Sequence, residues 1–163
     1  KRNESWKAFI ELKEKGLCKS IGVSNFTMDN LKELEDKFGI LPAVNQVEFH
    51  PYHYQKELLE YCNSKNILIE AYSPLVHAKR MDEPRLVSIS EEISKTPAQV
   101  LIRWAMQRGM VVLPKSVNEN RIIENFSVFD FEISDSLMKR LDDLNERFVT
   151  CWDPHNPPPY APV

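Results

Sequence analysis

Glycine is scarce in this 163-residue chain, which contains four glycines and no G-x-G-x-x-G segment. A Rossmann dinucleotide site requires that pattern directly after a strand, so the sequence excludes one. Cysteine is scarce as well, because Cys18, Cys62 and Cys151 are an odd number at irregular spacing. That usage argues against a disulfide framework and predicts a reducing compartment, the cytoplasm.

Long apolar runs and an excess of basic charge are also missing. Apolar runs such as residues 67–69 and 110–113 are far too short to cross a bilayer, so we expect no membrane partner. The formal net charge is −3 and no basic face is visible, which argues against a nucleic-acid partner. The hydrophobic fraction of 42% is sufficient for one domain with its own core over residues 1–163.

Helix signals recur along the chain. The strongest is Thr-Pro-Ala-Gln at residues 96–99, which combines a capping box with proline at the first helical position. We predict another helix from Ser5 to Gly16. Phe9 of this helix and Trp104 of the helix after residue 96 are both predicted to lie in the core. Further helices are predicted over residues 27–39, 57–64, 118–126 and 135–146.

Four short apolar segments between these helices predict strands at residues 19–23, 43–49, 67–72 and 110–113. Strands separated by helices require crossover connections, which produce a parallel sheet. Gln46 and Glu70 place polar groups inside the strands, whereas strands of an open, doubly covered sheet are almost wholly apolar. The predicted fold class is therefore α/β of the TIM-barrel type, with a flavodoxin-like open sheet as the alternative. Four strands are half of the usual eight.

Polar residues follow the carboxyl end of each predicted strand. They are Ser24 and Asn25, residues 46–50, Tyr72 and Ser73, and Lys115 and Ser116. The carboxyl ends of parallel strands lie at one edge of a sheet, so we expect these side chains to share that edge. Lys115 also precedes a helix that carries Arg121, and a helix amino terminus with nearby cations suits a phosphate. A solvated turn is the alternative interpretation.

At these residues the chain resembles the aldo-keto reductase superfamily over nearly its whole length. The resemblance lies in Gly-Leu-Cys-Lys-Ser-Ile-Gly-Val-Ser-Asn-Phe at 16–26, Asn-Gln-Val-Glu-Phe-His-Pro-Tyr at 45–52, Ala-Tyr-Ser-Pro-Leu at 71–75, and Leu-Pro-Lys-Ser at 113–116 with Arg121. In that family these segments lead through the fifth to eighth strands of a (β/α)₈ barrel. The resemblance implies the second half of a barrel, with about four β/α units, a carboxyl-terminal helix and a tail. It also implies an oxidoreductase that uses NADP(H) to reduce small aldehydes and ketones to alcohols.

The resemblance further implies a set of cofactor contacts. Ser24, Asn25 and Gln46 would bind the nicotinamide carboxamide, Tyr72 would stack on its ring, and Ser73 and Leu75 would border the pyrophosphate. Lys115, Ser116 and Arg121 would hold the 2′-phosphate, with Glu124 and Asn125 near the adenine. The two cations favour NADPH over NADH. One departure is Val76, where family members usually have glycine.

The catalytic aspartate, tyrosine, lysine and histidine of the family all lie on its first four strands. We therefore predict no catalytic residue in this chain and expect the chain alone to be nearly inactive. No metal site is predicted either, since His50 and His53 are three residues apart in a loop without a further ligand. Residues 147–163 form a proline-rich tail, in which Trp152 either lines a substrate pocket or packs.

Two interpretations of the half-length chain follow. In the first, it is a fragment of a complete cytosolic reductase, in keeping with a start at Lys1 on a helix boundary. In the second, it is a genuine half-length protein that binds NADP without catalysis or serves as a self-associating interaction module. A half-barrel exposes two sheet edges and an open core, which favours self-association.

Overall fold

The computed structural model describes residues 1–151, 153 and 154. The helices are α1 (Arg2–Glu14), α2 (Met28–Phe38), α3 (Lys56–Ser64), α4 (Pro84–Glu92), α5 (Pro97–Gln107), α6 (Glu119–Phe126) and α7 (Asp135–Asp142). The strands are β1 (Gly22–Ser24), β2 (Val44–Glu48), β3 (Leu68–Tyr72) and β4 (Val111–Leu113). The chain divides into two units. The first comprises Lys1–Val47 and Lys56–Ile69 with Asp153 and Pro154, and the second comprises Glu48–Gln55 and Glu70–Cys151.

In the first unit, β1 and β2 form a parallel pair in which Gly22 is opposite Val44 and Ser24 is opposite Gln46. The helices α1 and α2 contact each other. They bury a core in which Trp6, Ile21 and Leu34 are packed together. The indole Nε1 of Trp6 donates to the carbonyl oxygen of Ile40 at 3.2 Å, so the large buried ring has its polar atom satisfied.

In the second unit, β3 and β4 form another parallel pair, from Glu70 opposite Val111 to Tyr72 opposite Leu113. The helix α5 contacts α4, α6 and β4. Its Trp104 is fully buried, lies 6.0 Å from the Phe49 ring between centroids, and donates from Nε1 to Asp142 at 2.8 Å. The core of this unit therefore forms around the inner face of α5.

The predicted parallel α/β organisation is confirmed, and so are the helix over residues 27–39 and the capping box at residues 96–99. Thr27 caps α2 in a capping box with Asn30, and Gly39 ends that helix in the left-handed region at φ 64°. Thr96 caps α5 in a box with Gln99, followed by proline at the first helical position. These predictions were correct because the hydrogen bonds that cap a helix join residues within four positions of each other in the sequence.

Other predictions about element ends were wrong. The first helix begins at Arg2 rather than Ser5, and its cap position, Lys1, forms no side-chain cap bond. Phe9 is 43% exposed rather than in the core, although its ring makes an edge contact with Trp6. The last helix ends at Asp142, short of residue 146.

Helix α4 was not predicted at all. Its cap is Glu83, whose carboxylate accepts from the Leu86 amide at 3.0 Å, with Pro84 at the first helical position. Glutamate is not among the preferred caps, so the usual signal is missing.

Within the described residues, no helix is long and apolar enough to cross a membrane. The described part of the predicted tail contains no helix or strand, and Trp152 lies outside the described residues.

Candidate cofactor-binding site

The first unit brings three of the predicted site residues together at the carboxyl end of its strand pair. Ser24 is opposite Gln46, and its hydroxyl donates to the Gln46 carbonyl oxygen at 3.0 Å. The Asn25 amide donates to the same oxygen at 2.9 Å. Asn25 has φ 57°, a left-handed conformation that asparagine tolerates better than most residues. Two carboxamides and a hydroxyl thus lie on adjacent strand ends.

Asn45 fixes the shape of this turn, a role that the sequence did not reveal. Its side chain is fully buried, accepts from the Phe26 amide at 3.3 Å and donates to the Phe26 carbonyl at 2.9 Å. Those two bonds hold the segment that leaves β1 against β2. A buried polar residue inside a strand was the available signal, because such a side chain needs hydrogen-bond partners.

In the second unit, Tyr72 is the last residue of β3 and is half-buried. Ser73 and Val76 follow with φ of 50° and 55°, in the left-handed region, and Leu75 between them is half-buried. Val76 stands where family members usually have glycine, and its conformation is one that glycine adopts without strain. Its side chain is fully buried, and that burial offsets part of the strain.

The segment after β4 holds the predicted phosphate ligands. Asn118 caps α6 by accepting from the Arg121 amide at 3.1 Å, and the Ser116 hydroxyl accepts from the Asn118 amide at the same distance. Lys115 and Arg121 are exposed, and neither forms an ion pair with another described residue. Because Tyr72 is opposite Leu113, Lys115 lies two residues beyond the strand partner of Tyr72.

The other two predicted residues, Glu124 and Asn125, lie near the carboxyl end of α6. The Glu124 carboxylate accepts from the Thr96 hydroxyl at 2.5 Å, and the Glu124 carbonyl accepts from the Gln99 side chain at 3.4 Å. Asn125 is 8% exposed. In this structure Glu124 links α6 to the start of α5.

A buried carboxylate in the second unit was not singled out from the sequence. Glu48 is 3% exposed and lies 3.1 Å from the His50 Nε2. It also accepts from the Thr150 amide and hydroxyl at 2.6 and 2.5 Å, and from the Cys151 amide at 3.1 Å. Burial alone would raise the pKa of Glu48, but these hydrogen bonds outweigh it and lower the pKa to about 2.

Glu48 therefore anchors the segment around residue 150 as an ionised group. The contact joins residues 102 positions apart, and no local pattern encodes such a pairing.

His50 and His53 have ring centroids 6.1 Å apart. Among the described residues, no group of three or more histidine, cysteine, aspartate or glutamate side chains could hold a metal ion.

A family model described as the aldo/keto reductase family matches residues 1–146. The chain belongs to this family. It is 45% identical over 156 residues to an uncharacterized oxidoreductase, YtbE, of Bacillus subtilis, covering 96% of this chain and 56% of that protein. It is 46% identical over 146 residues to glyoxal reductase of the same organism, covering 90% of this chain and 53% of that protein.

Solved aldo-keto reductase structures agree with the fold. The apo form of Gox0644 superposes with a TM-score of 0.89 at 41% identity, over 94% of this chain and 57% of that one. A Gox0644 mutant in complex with NADPH gives a TM-score of 0.88 over the same shares. Aldo-keto reductases use NADP(H). The chain spans about half the length of the relatives it matches.

Proposed function

We propose that this chain is the NADP(H)-binding half of a carbonyl-reducing aldo-keto reductase and forms the second half of a (β/α)₈ barrel. Family membership supports the reaction class, and the NADPH complex of a related structure supports the cofactor. The nicotinamide would supply hydride to a small aldehyde or ketone. The complete enzyme, which we place in the cytoplasm, would supply the catalytic groups.

The observation that carries the proposal is the pair of cations after β4. Lys115 and Arg121 are exposed, form no ion pair with a described residue, and flank the capped start of α6. Amide groups at a helix start carry partial positive charge, and two full charges beside them create a site for a dianion. We propose that these groups and Ser116 hold the 2′-phosphate that distinguishes NADPH from NADH.

The other proposed contacts follow the chemistry of their side chains. The carboxamides of Asn25 and Gln46 and the hydroxyl of Ser24 would form hydrogen bonds with the nicotinamide carboxamide. Tyr72 would cover one face of the ring. Ser73 and Leu75 would border the pyrophosphate, while Glu124 and Asn125 would lie near the adenine.

No residue of this chain is proposed as the proton donor for the carbonyl. Hydride transfer without a general acid leaves the developing alkoxide without a proton, and general acid catalysis contributes on the order of 10²–10⁴-fold. We propose that the chain alone has little reductase activity, so binding rather than turnover is the measurement that tests it.

The test compares NADPH and NADH binding to the chain and to a Lys115→Ala, Arg121→Ala double variant by isothermal titration. Charge-assisted hydrogen bonds contribute roughly 1.5–3 kcal/mol each, so we expect NADPH binding to weaken about 100-fold or more and NADH binding to change little. The control is Lys7→Ala with Lys13→Ala, which removes the same charge from exposed positions of α1. Equal weakening of both cofactors, or an equal effect of the control, would contradict the proposal.

A second candidate function, self-association of a half-length protein, is favoured by apolar side chains on the surface. Val111 and Leu113 of β4 are each 39% exposed. Phe126 is 72% exposed, and its ring makes an edge contact with Phe129, which is itself 64% exposed. Exposed apolar strand and helix surface of this kind is typical of an interface.

A further inference from the structure

Asn25 lies in a turn of the first unit that is held by hydrogen bonds on both sides. The Asn25 amide donates to the Gln46 carbonyl oxygen at 2.9 Å. The Phe26 amide donates to the Asn45 Oδ1 at 3.3 Å, and the Asn45 Nδ2 donates to the Phe26 carbonyl oxygen at 2.9 Å. The first bond orients the peptide group before Asn25, and the second orients the peptide group after it. Together they hold Asn25 in the left-handed region, at φ 57°.

The two attachments come from adjacent residues of β2. Side chains alternate between the two faces of a strand, so the Gln46 side chain lies on the face opposite to that of Asn45. Gln46 is half-buried, whereas Asn45 is fully buried. Gln46 is therefore the residue of the pair that we propose to contact the cofactor, and Asn45 supports the turn from the core side.

Asn45 is itself held by helix α3, through the fully buried Cys62. Burial raises the pKa of the Cys62 thiol to about 11, although a hydrogen bond with Asn45 lowers it. A hydrogen bond that lowers the pKa of a thiol is one that the sulfur accepts, so Asn45 is the donor. Its amide nitrogen carries two hydrogens, and the Phe26 carbonyl and the Cys62 sulfur are the two acceptors. The reverse orientation of the carboxamide would place its nitrogen against the Phe26 amide, donor against donor.

We propose that Asn45 is a positioning residue for the nicotinamide end of the cofactor, acting through Asn25 and oriented by Cys62. The inference rests on the proposed function, because the direction of the Asn25 side chain matters to binding only if NADP(H) is the ligand. It extends that function to two residues that are fully buried and are not proposed to contact the cofactor. Their contribution is to hold a ligand contact in one geometry before the ligand arrives, which lowers the cost of binding.

The turn also has a second anchor, which does not involve Asn45. Phe26 packs against the buried cluster around Trp6, and Thr27 caps α2 directly after it. These contacts fix where the chain passes, but they act on a side chain and on the next residue. The bonds from Asn45 act on the Phe26 backbone, and the Phe26 amide belongs to the peptide group that follows Asn25. If the second anchor were sufficient, loss of Asn45 would leave Asn25 in place.

Two ligands separate an effect on the nicotinamide end from a general loss of structure. NADPH has both ends of the dinucleotide, whereas adenosine 2′,5′-bisphosphate has the adenine and the 2′-phosphate but no nicotinamide. A smaller folded fraction weakens the binding of both ligands by the same factor. A displaced Asn25 weakens the binding of NADPH alone. The ratio of the two dissociation constants therefore measures how well the nicotinamide end is held.

The experiment measures both dissociation constants by isothermal titration for the full chain and three variants. Asn45→Ser removes the carboxamide that bonds Phe26. Cys62→Ala keeps that carboxamide but removes the sulfur that orients it. Val47→Ala is the matched control, because Val47 is 2% exposed, lies two residues along β2 from Asn45, and has no hydrogen bond to lose from its side chain. Urea unfolding shows whether each variant is folded under the conditions of the titration.

We expect Asn45→Ser to weaken NADPH binding about tenfold, because one neutral hydrogen bond corresponds to a factor of about ten in affinity. Binding of adenosine 2′,5′-bisphosphate should stay within about twofold, since its groups lie far from this turn in the proposed site. Cys62→Ala should give the same selective pattern at about threefold, because the bonds to Phe26 remain. Val47→Ala should leave the ratio of the two dissociation constants unchanged.

An unchanged ratio in Asn45→Ser, whether both ligands weaken alike or neither does, would overturn the proposal. A Val47→Ala variant that shifts the ratio as much would overturn it as well. If Asn45→Ser does not fold, Cys62→Ala decides by the same criterion. An unmodified chain that binds NADPH no more tightly than adenosine 2′,5′-bisphosphate is a different result, because it would overturn the proposed nicotinamide contacts themselves and this inference with them.

Discussion

Glu48 accepts hydrogen bonds from three backbone or hydroxyl donors around residue 150 and contacts His50 while being 3% exposed. Its pKa is about 2, against an ordinary value of 4.5. A carboxylate with a lowered pKa contributes stability that is fully present above pH 4.5 and is lost as the pH falls towards 2. The shift corresponds to on the order of 3 kcal/mol.

We therefore expect Glu48→Gln to lower the free energy of unfolding at pH 7 by about 2–4 kcal/mol, because the charge-assisted hydrogen bonds are lost. The difference between the variant and the unmodified chain should shrink as the pH falls from 4.5 to about 2. Urea unfolding at a series of pH values measures it. Glu11→Gln, at an exposed position of α1, is the control and should have little effect. Parallel stability curves for the Glu48 variant and the unmodified chain would show that Glu48 is not the titrating group.

At the scale of the element, the start of α5 combines a local signal with a tertiary contact. Thr96 accepts from the Gln99 amide at 3.3 Å and donates to the Glu124 carboxylate of α6 at 2.5 Å. Thr27 of α2 makes the equivalent cap, with Asn30 as its partner in the box. The two threonines thus form a matched pair, and within the described part of the chain Thr96 alone of the two bonds to another helix.

Thr27→Ala should lower the free energy of unfolding by about 1 kcal/mol, the usual cost of a lost cap. Thr96→Ala should cost about 2–4 kcal/mol, because it also leaves the half-buried Glu124 carboxylate without its donor. Thr96→Ser should recover most of that loss. Equal costs at the two positions in chemical denaturation would mean that the link to α6 adds no stability.

The same pair shows how much of the fold the sequence could predict. The capping box at Thr96 and the helix that starts after Thr27 were predicted, because the residues that cap each helix lie within a few positions of its start. Helix α4 was not, because Glu83 is an uncommon cap. The network of Glu48 and Thr150 could not be predicted, because its members are adjacent only after folding. Of the site, the sequence predicted that Ser24, Asn25 and Gln46 would come together, since parallel pairing fixes where strand ends meet.

The residues that could not be predicted from the sequence hold other segments in place through hydrogen bonds and are not proposed to contact a ligand. Asn45 holds the exit from β1, and Glu48 holds the segment before Cys151. A ligand contact can be inferred from the residue type and its place at a strand end. A supporting hydrogen bond depends on distances that only the packed structure sets, as for Glu124, whose carboxylate bonds to Thr96.

At the scale of the whole molecule, apolar side chains of β4 remain accessible, with Val111 and Leu113 each 39% exposed. A strand that leaves apolar groups in water is a template for association with another chain. We expect the chain to self-associate between about 1 and 100 µM, with a dissociation constant typical of moderate interfaces. Sedimentation velocity over that range would show a rising weight-average sedimentation coefficient.

Leu113→Lys tests whether β4 is the surface involved, because a charged side chain on a strand edge opposes pairing and must be desolvated. We expect the dissociation constant to rise at least about tenfold, since 1.4 kcal/mol corresponds to a factor of ten. Leu17→Lys makes the same change at a residue that is 73% exposed and outside the strands, and should have no effect. If Phe126→Glu dissociates the oligomer and Leu113→Lys does not, association uses α6. If the unmodified chain is monomeric at the highest concentration, the half-length chain does not self-associate, and the exposed surface belongs to contacts made within a longer protein.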